Sequence, residues 1–168
     1  MREAVGDMLE MDCDALVVTT NGFTKANGEA VMGRGIAKQI ADLMPEVPKS
    51  LGRMLQLFGN NVAVIATKPM PIISFPVKPD YVKNNGANVV SHCKTSVGEW
   101  TPGFLAKADI QLIEQSLYQL VELANRKPEW KTILIPRVGC GAGELNYEDI
   151  KPLMGKYLDD RFICCTFK

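Results

Sequence analysis

Two short apolar runs, each followed by a glycine turn and then a helix, constrain this chain more than any other feature. The first is Ala15-Leu16-Val17-Val18, closed by Thr19-Thr20-Asn21-Gly22. It is short, continuous and rich in Val and Leu, so it reads as a buried strand over 15–20. A polar loop over 23–30 leads to Val31-Met32-Gly33-Arg34-Gly35. Ile36, Ile40, Leu43 and Met44 then recur at helical spacing, which predicts a helix over 33–44 that Pro45 stops. The second run is Ile133-Leu134-Ile135-Pro136, followed by Arg137-Val138-Gly139-Cys140-Gly141-Ala142-Gly143-Glu144-Leu145 and a helix from about 146. Such a turn aims free backbone N–H groups and the positive helix end at one point, where a phosphate can sit. Either turn alone is as readily an ordinary tight turn. Two of them, at the carboxyl ends of strands in one α/β sheet, can enclose a pyrophosphate from both sides.

The rest of the chain alternates strands and helices. Strands are expected at 2–5, 61–67, 71–75, 132–136 and 161–167, with the close pair 61–67 and 71–75 forming an antiparallel hairpin. Helices are expected at 45–58, 109–125 and 146–158, and Pro152 blurs the start of the last. The clearest is 109–125, where Ile110, Ile113, Leu117, Leu120, Val121 and Ala124 keep the helical period behind an Asp109 N-cap. Residues 79–108 form one long excursion with no sustained periodicity, which reads equally as a surface loop or a substrate lid. Trp100 and Phe104 are expected to pin it to the body. These elements imply a single α/β domain over 1–168, with a mixed sheet covered by helices on both faces.

Composition narrows the function classes. The chain of 168 residues carries 19 basic and 19 acidic side chains, which argues against a general nucleic-acid grip. No apolar run approaches the ~20 residues of a membrane span, and the N-terminus starts no signal-peptide pattern, so a cytoplasmic location is expected. The odd cysteine count, the single histidine His92 and the absence of a Cys-x-x-Cys pair argue against a disulfide framework and against a metal site. Cys140, inside the second glycine loop, reads as a small side chain in a crowded turn rather than a reactive thiol.

Taken in order, Gly6-Asp7, Asp14-Ala15-Leu16-Val17, Asn21, the turn over 31–37 and the loop over 136–145 resemble a macrodomain in arrangement and spacing. The resemblance covers nearly the whole chain and is weakest over 79–108. It implies a three-layer α/β/α sandwich with a mixed, mostly parallel central sheet. The pattern is most similar to the subgroup holding the human terminal ADP-ribose glycohydrolase and bacterial antitoxins that strip ADP-ribose from DNA. That subgroup shares a Val-Met-Gly-x-Gly-Ile-Ala turn, an Arg-x-Gly-Cys-Gly loop and a Phe-Pro-x-Lys segment, here 31–37, 137–141 and Phe75-Pro76-Val77-Lys78.

The resemblance implies roles for particular residues. Asp7, with Met8 beside it, would accept a hydrogen bond from the adenine amino group, and Asn21 would contact the distal ribose. Met32, Gly33, Arg34, Gly35 and Ile36 would meet the phosphates from one side. Pro136, Val138, Gly139, Cys140, Gly141, Ala142, Gly143 and Glu144 would meet them from the other. Lys78 would be the catalytic group, near the anomeric carbon of the distal ribose. Read without the resemblance, Asp7 is a turn former, Asn21-Gly22 a turn pair and Lys78 a solvated lysine. Where the human glycohydrolase has a catalytic Asp in this loop, the sequence reads Gly143, with Glu144 next.

Three functions are therefore open. The first is a hydrolase removing ADP-ribose from a modified protein or nucleic acid. The second is a reader that binds ADP-ribose without turnover. The third is a phosphatase or deacylase acting on ADP-ribose 1″-phosphate or acylated ADP-ribose, with His92 as acid or base. All three imply ADP-ribose or an ADP-ribosylated macromolecule as partner, no further cofactor, and a monomer.

Overall fold

The computed structural model describes residues 1–167. Six strands form the main sheet: β1 (Arg2–Val5), β2 (Ala15–Asn21), β3 (Ala63–Ala66), β4 (Ile72–Lys78), β7 (Ile133–Pro136) and β8 (Phe162–Thr166). Their order is β1-β8-β7-β2-β4-β3, and every pairing is parallel except β3 with β4. The expected hairpin is therefore present, and β4 runs on through Pro76 to Lys78, past the expected end at residue 75.

Four helices cover the sheet: α1 (Gly35–Leu43), α2 (Val47–Phe58), α3 (Ile110–Asn125) and α4 (Tyr147–Tyr157). Side chains of a strand alternate between faces. Accordingly, Leu16 and Val18 of β2 pack with Ala37 and Ile40 of α1 and with Val47 and Leu51 of α2. Ala15 and Val17 pack with Ile113 and Leu117 of α3 and with Ile150 and Met154 of α4. The result is a three-layer α/β/α sandwich whose central strands read as continuous apolar runs because both faces are buried. Asp109 caps α3, its carboxylate accepting from the N–H groups of Gln111 and Leu112.

Two boundaries shift in a way that matters for function. α1 begins at Gly35 rather than residue 33, which leaves Gly33 and an extended Arg34 before the helix. The excursion contains a small separate sheet, β5 (Tyr81–Lys83) paired antiparallel with β6 (Trp100–Pro102). Phe104 does pin it, packing edge-on against Phe23 at 5.2 Å, and Phe23 also meets Tyr81 at 5.4 Å. Trp100 does not, since it is 69% exposed.

Candidate ligand cleft and its buried lysine

The five parallel strands end on one side of the sheet, and a cleft of about 1130 Å³ opens there. Its walls are the turn after β1, the end of β2, the approach to α1, the end of β4, the glycine loop after β7 and the end of β8. Clefts of this size at strand carboxyl ends are where open α/β sheets bind ligands.

No protein-family model matches the sequence, and no curated protein matches it. Solved structures do match. The macrodomain of Mycobacterium tuberculosis DarG superposes with a TM-score of 0.69 at 22% identity, covering 98% of this chain and 95% of that one. The fold is that of a macrodomain. The macrodomain of Thermus aquaticus DarG gives a TM-score of 0.65 at 20% identity, over 99% of this chain and 97% of that one. Thermosipho africanus DarTG in complex with ADP-ribose gives 0.66 at 20%, over 99% of this chain and 42% of that one.

On this macrodomain scaffold the first glycine turn is built for an open helix end. Arg34 is the N-cap of α1 and makes no side-chain cap, so the leading N–H groups meet no side-chain acceptor among the described residues. Gly35 has φ +60°, a left-handed conformation suited to glycine, and among the described residues nothing lies within 4 Å of where its Cβ would be. Met32, Gly33, Arg34, Gly35 and Ile36 all line the cleft. In the second loop Gly139, Cys140, Gly141, Ala142 and Gly143 line it too, with Pro136 at the strand end. The N–H groups of Cys140, Glu144 and Leu145 bond within the loop. Those of Gly141, Ala142 and Gly143 have no partner among the described residues.

The cleft does not take in every residue expected there. Val138 turns into the core, fully buried against the α3–α4 side. Glu144 faces an adjoining cleft of about 720 Å³ that shares Gly33, Arg34, Gly35, Lys38, His92, Gly141 and Ala142 with the main one. Its carboxylate accepts from the Ser91 N–H at 2.9 Å and hydroxyl at 3.1 Å. The Ser91 N–H holds the Glu144 carboxyl below the usual carboxylate range.

Asp7, Met8 and Asn21 line the main cleft and also carry structural work. Asp7 caps a short 3-10 turn, accepting from the Leu9 N–H at 2.9 Å. Asn21 donates to the Val31 carbonyl and accepts from the Phe23 N–H, both at 3.0 Å, which closes the loop that delivers the first glycine turn. Beside it, the buried Thr20 hydroxyl has no hydrogen-bond partner among the described residues.

Lys78 is the most unusual group in the cleft. Lysine is rarely buried, yet here it is only 6% exposed. Its Nζ donates to the Phe104 and Ala142 carbonyls, each at 3.1 Å. Burial lowers its pKa from 10.5 to about 8; Glu144 opposes the shift and Arg34 adds to it. Cys140 moves the other way, pushed up to about 11 by burial, which suits an inert small side chain.

Three further lining residues lie outside the expected ligand contacts. Arg137 stacks on Tyr147 at 4.0 Å, Phe167 stands 70% exposed, and His92 meets the Arg34 guanidinium at 3.3 Å. Arg137 opens the Arg-x-Gly-Cys-Gly segment and His92 is the only histidine, so both carried a sequence signal; Phe167 carried none.

Proposed function

We propose that this chain binds ADP-ribose in the main cleft and removes it from a modified macromolecule, with Lys78 as the nucleophile. The observation that carries the reading is the buried Lys78 amine, held by two carbonyls beside two glycine turns. A neutral amine has two N–H donors and one lone pair. Two carbonyl acceptors satisfy the donors and leave the lone pair to react. With a pKa of about 8, roughly a tenth of the amine is neutral at pH 7. The lone pair attacks the anomeric carbon of the distal ribose, the bond to the acceptor breaks, and the acceptor leaves with a proton. Water then cleaves the sugar–lysine adduct and regenerates the amine.

Placement of the ligand follows the cleft. The pyrophosphate lies between the uncapped start of α1 and the free N–H groups of Gly141, Ala142 and Gly143. The adenine lies at the Asp7 end and the distal ribose near Asn21 and Lys78. The DarG macrodomains and the DarTG complex with ADP-ribose support this ligand class.

The reading as a non-catalytic ADP-ribose binder is favoured by one observation. The carboxylate nearest Lys78 on the second loop, that of Glu144, is engaged by Ser91. A panel of ADP-ribosylated protein, ADP-ribosylated DNA and ADP-ribose 1″-phosphate separates the readings. Released ADP-ribose from protein or DNA supports the hydrolase in the subgroup named above. Saturable ADP-ribose binding with no product from any substrate supports the reader. No calorimetric heat with millimolar ADP-ribose would remove both.

A further inference from the structure

Glu144 has φ +63°, the one non-glycine residue with positive φ among those described. L side chains rarely adopt that region, and its persistence requires something that holds it. The loop already carries Gly139, Gly141 and Gly143, so glycine at 144 would be the unstrained choice. What Glu144 holds is Ser91, through both the backbone N–H and the hydroxyl.

Ser91 belongs to the excursion, and the excursion is tied together close to it. The Val90 N–H donates to the Leu105 carbonyl and the Lys107 N–H to the Asn88 carbonyl, each at 2.9 Å. Phe104, one acceptor of the Lys78 amine, sits inside that tied segment. Ala142, the other acceptor, is two residues before Glu144. The amine's two acceptors thus come from separate segments of the chain, and two contacts join them: the Ala108 N–H donating to the Gly143 carbonyl at 3.0 Å, and the Ser91–Glu144 contact.

We propose that Glu144 is a positioning residue for Lys78, clamping the segment that carries the Phe104 carbonyl onto the loop that carries the Ala142 carbonyl. The inference rests on the reading of Lys78 as the reacting amine. Charge works alongside the clamp. Glu144 favours the protonated amine and Arg34 opposes it, while Lys107 and His92 act on Glu144 in turn. The clamp therefore fixes where the amine sits and moderates how readily it loses its proton.

Two variants separate charge from clamp. Glu144→Gln keeps an oxygen for Ser91 and removes the charge. Glu144→Gly suits the left-handed backbone, so the loop keeps its shape, and removes the side-chain clamp on Ser91 while the Ala108–Gly143 backbone bond stays. The Lys78 Cε resonance of the full chain, labelled with ¹³C-lysine and assigned by its loss in Lys78→Arg, reports the titration directly and needs no turnover. The wild-type midpoint is expected at about 8. In Glu144→Gln it should fall by about half a pH unit, since an attracting charge is lost. In Glu144→Gly the Ser91 amide should exchange about tenfold faster. In that variant kcat should drop about tenfold or more while the ADP-ribose Kd stays within about threefold. An unchanged midpoint in Glu144→Gln together with unchanged Ser91 exchange and kcat in Glu144→Gly overturns the positioning role. Wild-type turnover in Lys78→Ala would instead defeat the functional reading, whatever the Glu144 variants do.

Discussion

Asn21 and Lys78 stand opposite each other across the β2–β4 ladder, because a register shift between Thr20 and Asn21 skips Val77. An extra residue of this kind bends its strand and re-aims the next side chain. Val77 stays in the α3–α4 core, and Lys78 reaches the carbonyls of Phe104 and Ala142. The lysine is buried at the cleft by the sheet itself, so its chemistry is coupled to stability.

That coupling has a sign. Between about 8 and 10.5 the unfolded chain binds a proton that the folded chain does not, so stability rises with pH there. Below about 8 the full cost of burying the ammonium is present, and above 10.5 it is gone. The shift corresponds to at most ~3 kcal/mol. Denaturant unfolding of the wild type and of Lys78→Met should show the difference moving toward the wild type by about 2–3 kcal/mol from pH 7 to 10.5. A difference that stays flat would mean that the amine remains solvated and charged throughout.

The two glycine turns should respond differently to alanine. At Gly35 the added Cβ meets open space and only φ is unfavourable. Gly35→Ala should cost about 1–2 kcal/mol in stability and weaken ADP-ribose binding while the fold is kept. At Gly143 the Cβ would lie 2.5 Å from the Gly139 carbonyl oxygen and 2.6 Å from the Ala108 Cβ. Gly143→Ala should therefore lose more stability than Gly35→Ala. Thermal unfolding with calorimetry decides it, and a reversed order would contradict the loop geometry.

The sequence made most of this frame legible, for identifiable reasons. α3 announced itself through Asp109 and its apolar period, and β2 through a run that is apolar because helices cover both faces. The glycine turns were readable because backbone that must turn tightly or approach a ligand selects glycine. The excursion was not. β5 and β6 are three residues each, too short for alternation to register, and β6 ends in a proline. The partners of Lys78 were hidden for a deeper reason: both are backbone carbonyls, which any residue supplies. Val138 was placed in the site by its neighbours in the chain, yet it faces the core.

Asp7 caps the 3-10 turn and is proposed to recognise adenine, and one substitution can separate the two. Asp7→Asn keeps an oxygen for the Leu9 N–H, so the 3-10 turn should survive with little loss of stability. It gives up the carboxylate that would accept from the adenine amino group and gains an amide donor. Calorimetry with ADP-ribose and its inosine analogue should show a preference for adenine in the wild type, eroded by about 1–3 kcal/mol in the variant. An unaltered preference would leave Asp7 as a turn residue alone.

In the proposed reaction the Lys78 amine forms a bond to the distal ribose. Borohydride reduction during turnover of an ADP-ribosylated substrate, followed by peptide mass spectrometry, tests it most directly. One stable sugar adduct is expected, on the peptide holding Lys78, absent in Lys78→Ala together with turnover. Turnover that proceeds with no adduct on Lys78, or with an adduct on another residue, would contradict it.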